Sequence, residues 1–134
     1  MRLLEKYLSI KKSLIKNAGK GLFTSVAIPK GTRIVEHTGD IKTWKEITDS
    51  PYFNGYVFYV TKDHVIDAKK RKDALARYAN DAKGTDGAHT FQNNCKYEID
   101  GFRVYIVAIK NITAGAEILV GYGKQYWDAI KANG

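Results

Sequence analysis

Near the end of the chain, "EILVGYGKQYW" (residues 117–127) sets one tyrosine, Tyr122, between two glycines. A phenol standing alone at a strand end is either a core tyrosine with its hydroxyl at the surface or a functional hydroxyl in a narrow channel. Nothing within the stretch separates the two. "GKGLF" sets Lys20 between Gly19 and Gly21, a pattern that lets the main chain turn tightly or approach a ligand closely. It is not a dinucleotide fingerprint, because no βαβ pattern surrounds it, and neither Ser nor Thr follows the lysine as a phosphate loop requires. "RYANDA" sets Arg77 and Asn80 three apart, on one face of a helical turn. Asn80 can both donate and accept, although a helix end with a solvated arginine would read the same way. "NNCKY" carries Cys95, the only cysteine. With no histidine or cationic helix end beside it, Cys95 reads as a small buried hydrophobe rather than an activated nucleophile. His37, His64 and His89 lack metal-ligand spacing, and no Ser/His/Asp or Cys/His set is present.

These residues need elements to hold them, and glycine punctuates the chain at short intervals. Turns are predicted at Gly19 and Gly21, at Pro29–Gly31, at Gly39, at Asp100-Gly101 and at Ala114-Gly115. Between them lie short β-rich runs at 8–10, 33–37, 56–60, 64–67, 104–109 and 118–120. Helix signals are fewer. "TWKEITDS" opens with Thr43 and has Glu46 three residues on, a capping box. "DAKKRKDALARYAND" supports one or two turns, and "KQYWDAIKANG" reads as a C-terminal helix stopped by Asn133-Gly134. The pattern predicts an α+β fold, mostly β, of small sheets with few short helices.

The chain has 134 residues, which fits a single domain across 1–134. Its 44% hydrophobic and 27% charged residues are ordinary for a globular protein. No apolar run approaches a membrane span. The charged N-terminal stretch does not read as a signal peptide. One cysteine allows neither a disulfide framework nor a thiolate zinc cluster, so an intracellular protein without a metal is expected. There are 22 Lys+Arg against 14 Asp+Glu, a net charge of +8. That invites nucleic acid, but the basic residues are spread along the chain, and "KKRK" at 69–72 reads more readily as a solvated turn.

The order of these pieces carries more than any one of them. "GKGLFTSVAIPKGTRIVEHTGD", "VIDA", "RYANDA", "NNC" and "ITAGAEILVGYG" follow in fixed succession. This succession resembles the SET domain family of S-adenosylmethionine-dependent protein-lysine methyltransferases, over roughly residues 6 to 127. "RYANDA" stands where the family has R-x-x-N-H-S, "NNC" where it has P-N-C, and "AGAEILVGYG" where it has G-E-E-L-x-x-D-Y-G. Asp81 and Ala82 replace the family's His and Ser, His37 stands at a usual Tyr, Gly121 replaces an Asp, and Ala116 a Glu. Residues 83–92 lengthen the connection to "NNC", and the flanking zinc-binding cysteine clusters of many members are absent.

The resemblance implies a β-clip-like SET fold in which the last strand crosses the "RYANDA" segment in a pseudoknot, where crowded backbone would favour glycine. It implies methyl transfer from S-adenosylmethionine to a lysine amine of a histone or other basic protein, with no metal. It assigns Tyr122 as the catalytic phenol and Tyr97, His37, Val120 and Tyr59 to the substrate channel. It assigns main-chain cofactor contacts to Lys20, Gly21 and Leu22, the Asn80 side chain to the cofactor's amino-acid end, and backbone alone to Asp81. An aromatic of "YFNGYVF", Tyr56 before the others, would touch the cofactor, and Tyr126 or Trp127 would cover the adenine, although Trp127 reads equally as a core anchor. The partner is a protein or peptide presenting a lysine. Nucleic acid is not required, no membrane is involved, and a homodimer is left open. The location would be cytoplasmic, or nuclear in a eukaryote. The alternative is an inactive SET-like module that binds peptide or nucleic acid.

Overall fold

Turn chemistry and short apolar runs resolve into nine strands in the computed structural model, which describes residues 3–52, 54–83 and 91–123. The strands form three antiparallel sheets of three strands each. β1 (Leu8–Lys12), β2 (Lys20–Thr24) and β9 (Glu117–Ile118) make the first, in the order β1-β2-β9. β3 (Arg33–Glu36), β7 (Cys95–Asp100) and β8 (Arg103–Ala108) make the second, in the order β3-β8-β7. β4 (Asp40–Lys42), β5 (Val57–Thr61) and β6 (His64–Asp67) make the third, in the order β4-β6-β5. The architecture is the mostly β arrangement of small sheets predicted from the sequence.

Local chemistry explains several elements. β8 is central in its sheet and buried from Val104 to Ala108, as a continuous apolar run requires. The Asp100-Gly101 turn leads into it, with Gly101 at φ 64°. Helix α1 (Trp44–Asp49) starts on the predicted capping box. The Thr43 hydroxyl accepts from the Glu46 N–H at 3.2 Å, and the Glu46 carboxylate accepts from the Thr43 N–H at 3.0 Å. The helical reading around Arg77 reduces to a single 3₁₀ turn, Leu75–Tyr78. The predicted C-terminal helix lies outside the described residues.

Two expectations change. Gly21 is not at a turn; it sits within β2, opposite Lys11. A Cβ there would run into the Glu117 carboxylate, so space rather than dihedral freedom demands glycine. The short strand β4 was not anticipated. It is joined to its sheet by Asp67, whose buried carboxylate accepts from Lys42 Nζ (2.7 Å), Asn54 Nδ2 (3.0 Å) and the Lys69 N–H (3.0 Å). Burial pushes the Asp67 carboxyl up, but these donors outweigh it and the net direction is down.

The chain after β9 makes the crossing that positions the site. Asn80 pairs with Leu119 and Cys95 with Val120, both in parallel. The Val120 N–H donates to the Asn80 carbonyl at 2.8 Å, while the Asn94 and Cys95 N–H groups donate to the Leu119 carbonyl at 2.9 Å. The Asn94 side chain accepts from the Leu119 N–H and donates to the Glu117 carbonyl, each at 2.9 Å. Residues 117–120 therefore run between 79–81 and 93–95, as in the expected pseudoknot. Ile118 and Val120 of the crossing are fully buried, as are Leu22, Ile34 and Ile106, and all five share one core cluster with Ala76 and Ala79.

Candidate active site

A cavity of about 1220 Å³ opens beside the crossing. Its wall draws on the Gly19-Lys20 turn, on 54–59 leading into β5, on the 3₁₀ turn and residues 79–81, and on Tyr97 and Tyr122. Tyr122 is held at both ends. Its hydroxyl donates to the Ala79 carbonyl at 2.5 Å, and its backbone N–H donates to Asp81 Oδ2 at 2.9 Å. With its proton committed to a carbonyl, the hydroxyl offers the cavity an acceptor oxygen rather than a donor.

Three rings pack together on another part of the wall, Tyr97 meeting His37 and Phe58 edge to face and those two tilted to each other. Phe58 and Tyr97 have centroids 4.9 Å apart, His37 and Tyr97 5.8 Å, and His37 and Phe58 5.9 Å. His37 is 6% exposed, and its Nδ1 is enclosed with no hydrogen-bond partner among the described residues. Burial lowers its pKa to about 4, so the imidazole is neutral near pH 7. This wall is therefore aromatic and uncharged, a surrounding that disfavours a protonated amine.

The polar part of the cavity is built around Asn80. Its Nδ2 donates to the Lys20 carbonyl at 2.9 Å and lies 3.4 Å from Glu117 Oε2. Buried Glu117 also takes the Ser13 hydroxyl at 2.7 Å and the Leu14 N–H at 2.9 Å. Asn80, the Lys20 turn and the N-terminal segment are thus locked together. Arg77 Nη1 donates to the Ala68 and Lys69 carbonyls, both at 2.8 Å. Its guanidinium lies 4.4 Å from the Tyr56 centroid and 5.2 Å from that of Tyr78. Lys16, Lys20 and Arg77 line the cavity, whereas Asp81 is its one lining carboxylate among the described residues.

Of the residues singled out from the sequence, Tyr122, Tyr97, His37, Tyr59, Lys20, Tyr56, Asn80 and Asp81 all border this cavity. Gly21, Leu22 and Val120 do not; Leu22 and Val120 are fully buried in the core. Tyr126 and Trp127 lie outside the described residues. Phe58 also borders the cavity, a second aromatic of the "YFNGYVF" stretch beside the favoured Tyr56, and Trp44 was missed. Phe58 lies within β5, two residues after Tyr56, which stands in the turn that leads into the strand. Trp44, whose ring packs edge to face on Tyr59 at 5.3 Å, sits in a segment that read only as a helix start. Crowding does not explain Gly121, where a Cβ would meet Asn93 Nδ2 at an ordinary 3.5 Å. Gly123 has φ 92°, a region that disfavours any side chain.

Cys95 is buried and its thiol is pushed up to about 12 by burial, which makes it inert. Among the described residues, no three His, Cys, Asp or Glu side chains converge as a metal site, and no helix is long and apolar enough to cross a membrane.

Comparison with known proteins points the same way as this geometry. The chain is 27% identical over 136 residues to N-lysine methyltransferase KMT5A-A of Danio rerio, covering 89% of this chain and 36% of that protein. It is 24% identical over 138 residues to N-lysine methyltransferase KMT5A of Xenopus tropicalis, covering 92% of this chain and 39% of the relative. It is 29% identical over 132 residues to histone-lysine N-methyltransferase EZH2 of Chaetomium thermophilum, covering 90% of this chain and 8% of that protein. The chain thus spans well under half the length of these relatives. The SET domain family model matches residues 19–123, the span that holds the glycine turn, the crossing and Tyr122, and the chain belongs to the SET domain family.

Proposed function

We propose that this chain transfers a methyl group from S-adenosylmethionine to the side-chain amine of a lysine in a protein substrate. The observation that carries the reading is Tyr122, fixed to the Ala79 carbonyl at 2.5 Å on a cavity whose nearby rings include a neutral, buried His37.

The residues present fit the methyl donor. Lys16, Lys20 and Arg77 supply positive charge for a carboxylate, and Tyr56 and Phe58 supply apolar faces. At about 1220 Å³ the cavity is larger than the roughly 300–1,000 Å³ of a typical small-molecule site, room for the donor together with a lysine side chain. The Asn80 side chain and the Lys20 main chain would hold the amino-acid end, with Tyr56 alongside. When bound, the donor supplies an electrophilic methyl on a sulfonium. The chain's own residues do the rest. A lysine amine has an ordinary pKa near 10.4 and costs roughly 3 kcal/mol to deprotonate at pH 8. The uncharged wall of His37, Phe58 and Tyr97 favours the neutral amine by desolvation. No strong base is then needed, because solvent can take the proton. The two-ended hold on Tyr122 fixes its oxygen where alignment, rather than proton relay, lowers the barrier.

The test is to incubate the purified chain with labelled S-adenosylmethionine and a panel of basic proteins and to locate added methyls by mass spectrometry. Tyr122→Phe should slow transfer by about a hundredfold or more, while S-adenosylmethionine affinity by calorimetry stays within a few-fold. A folded chain that binds no S-adenosylmethionine, or a Phe variant with undiminished turnover, would overturn the reading.

A further inference from the structure

We propose that Asp81 is a positioning residue for methyl transfer: its buried carboxylate sets the backbone of Tyr122, and through it the phenol. The inference rests on the methyltransferase reading above, but it assigns Asp81 a role through its side chain rather than its backbone.

Asp81 is 5% exposed. Its Oδ2 accepts from the Tyr122 N–H at 2.9 Å, while its Oδ1 accepts from the Lys83 N–H at 2.9 Å and from Asn93 Nδ2 at 3.1 Å. Asn93 Oδ1 in turn accepts from the Ala82 N–H at 2.7 Å. Among the described residues, three N–H donors converge on this one carboxylate, as suits an acid that only accepts. The same stretch holds the other end of Tyr122, since the phenol donates to Ala79, two residues before Asp81. With both ends bound to 79–81, the ring's position in the cavity is fixed by the crossing. Release of the backbone end would leave the ring pivoting on its hydroxyl. The resemblance places a histidine at this position; a neutral imidazole has one acceptor nitrogen and cannot take three donors.

The geometry makes the test specific. In Asp81→Asn, the amide keeps two bonds by placing its oxygen towards Lys83 and Asn93. Its NH2 then faces the Tyr122 N–H, and that one bond is lost. Adding Asn93→Asp reverses the choice. The amide NH2 at position 81 then donates to the carboxylate at position 93, and the amide oxygen turns back to Tyr122. Three quantities are read on wild type, Asp81→Asn and the double variant: exchange of the Tyr122 amide proton by NMR, S-adenosylmethionine affinity, and the single-turnover rate.

Asp81→Asn should speed Tyr122 amide exchange and slow transfer, each by roughly tenfold or more, with affinity within about threefold. The double variant should recover most of both losses. Wild-type exchange and rate in a folded Asp81→Asn would overturn the proposal, as would a rate loss matched by an equal affinity loss. If the single variant does not fold, the double variant decides. Folding with near-wild-type rate supports the proposal; failure to fold, or folding without activity, overturns it. A wild-type chain that transfers no methyl would instead defeat the underlying reading, while the exchange data would still report on the Asp81–Tyr122 bond.

Discussion

His37 illustrates how one residue can serve a site at the expense of stability. Enclosed between Phe58 and Tyr97, it has its pKa lowered to about 4 by burial. An unfolded histidine titrates near 6.5. Below that pH the unfolded chain takes up a proton that the folded chain refuses. Stability from this residue is therefore complete above about 6.5, falls as pH drops, and levels off below about 4. The difference corresponds to about 3 kcal/mol. His37→Phe keeps a ring against the same neighbours and removes the titration. Denaturant unfolding of both proteins across this range should give curves that converge with rising pH and separate by about that amount at the acid end. Parallel pH profiles would show that His37 protonates freely in the folded state. In the cavity the same neutrality means that His37 adds no positive charge where a neutral amine is needed.

At the scale of elements, the ladder joins β9 to β2, and Glu117 ties β9 further to the segment after β1 and to Asn80. Its carboxylate takes Ser13, Leu14 and Asn80 at 2.7, 2.9 and 3.4 Å. The space beside it is kept open by Gly21. Gly21→Ala should cost about 2–3 kcal/mol, because a Cβ displaces a buried acid that already has its partners. It should also weaken S-adenosylmethionine binding, since Asn80 is held by the same group. Chemical denaturation and calorimetry check both; an alanine variant of wild-type stability would show that Glu117 relaxes at no cost. Such contacts mark the limit of what the sequence discloses. The β7–β8 hairpin was legible because Asp-Gly is a local signal, and α1 because its capping box spans four residues. Gly21 read as a turn because the group that requires it in a strand lies far along the chain. Tyr122 and Asn80 were legible from motif order. The bond from the Tyr122 N–H to Asp81 spans 41 positions, and only the crossing brings those residues together. β4 is too short at three residues for its pattern to be a signal, and owes its existence to pairing with β6 and to the Lys42–Asp67 bond.

For the whole molecule the governing quantity is charge. The chain carries +8 over 134 residues, and Lys16, Lys20 and Arg77 stand at the cavity with Asp81 as its lining carboxylate among the described residues. Among the described residues that carboxylate already accepts from three N–H donors, so it offers an approaching cation little. A substrate meets this field before it meets the channel. The field reaches about 30 Å at 0.01 M salt and about 8 Å at 0.15 M. Salt should therefore act on encounter and leave the enclosed aromatic wall alone. Two lysine peptides of equal length are compared, one with basic flanks and one with acidic flanks. Between about 0.01 and 0.15 M salt, kcat/KM should rise several-fold for the basic peptide and fall several-fold for the acidic one. kcat should be nearly constant for both, because methyl transfer within the cavity is insulated from the bulk ions. The two slopes must have opposite sign for net charge to govern approach. Equal slopes for the two peptides would mean that local contacts at the cavity rim, rather than the field of the whole chain, select the substrate.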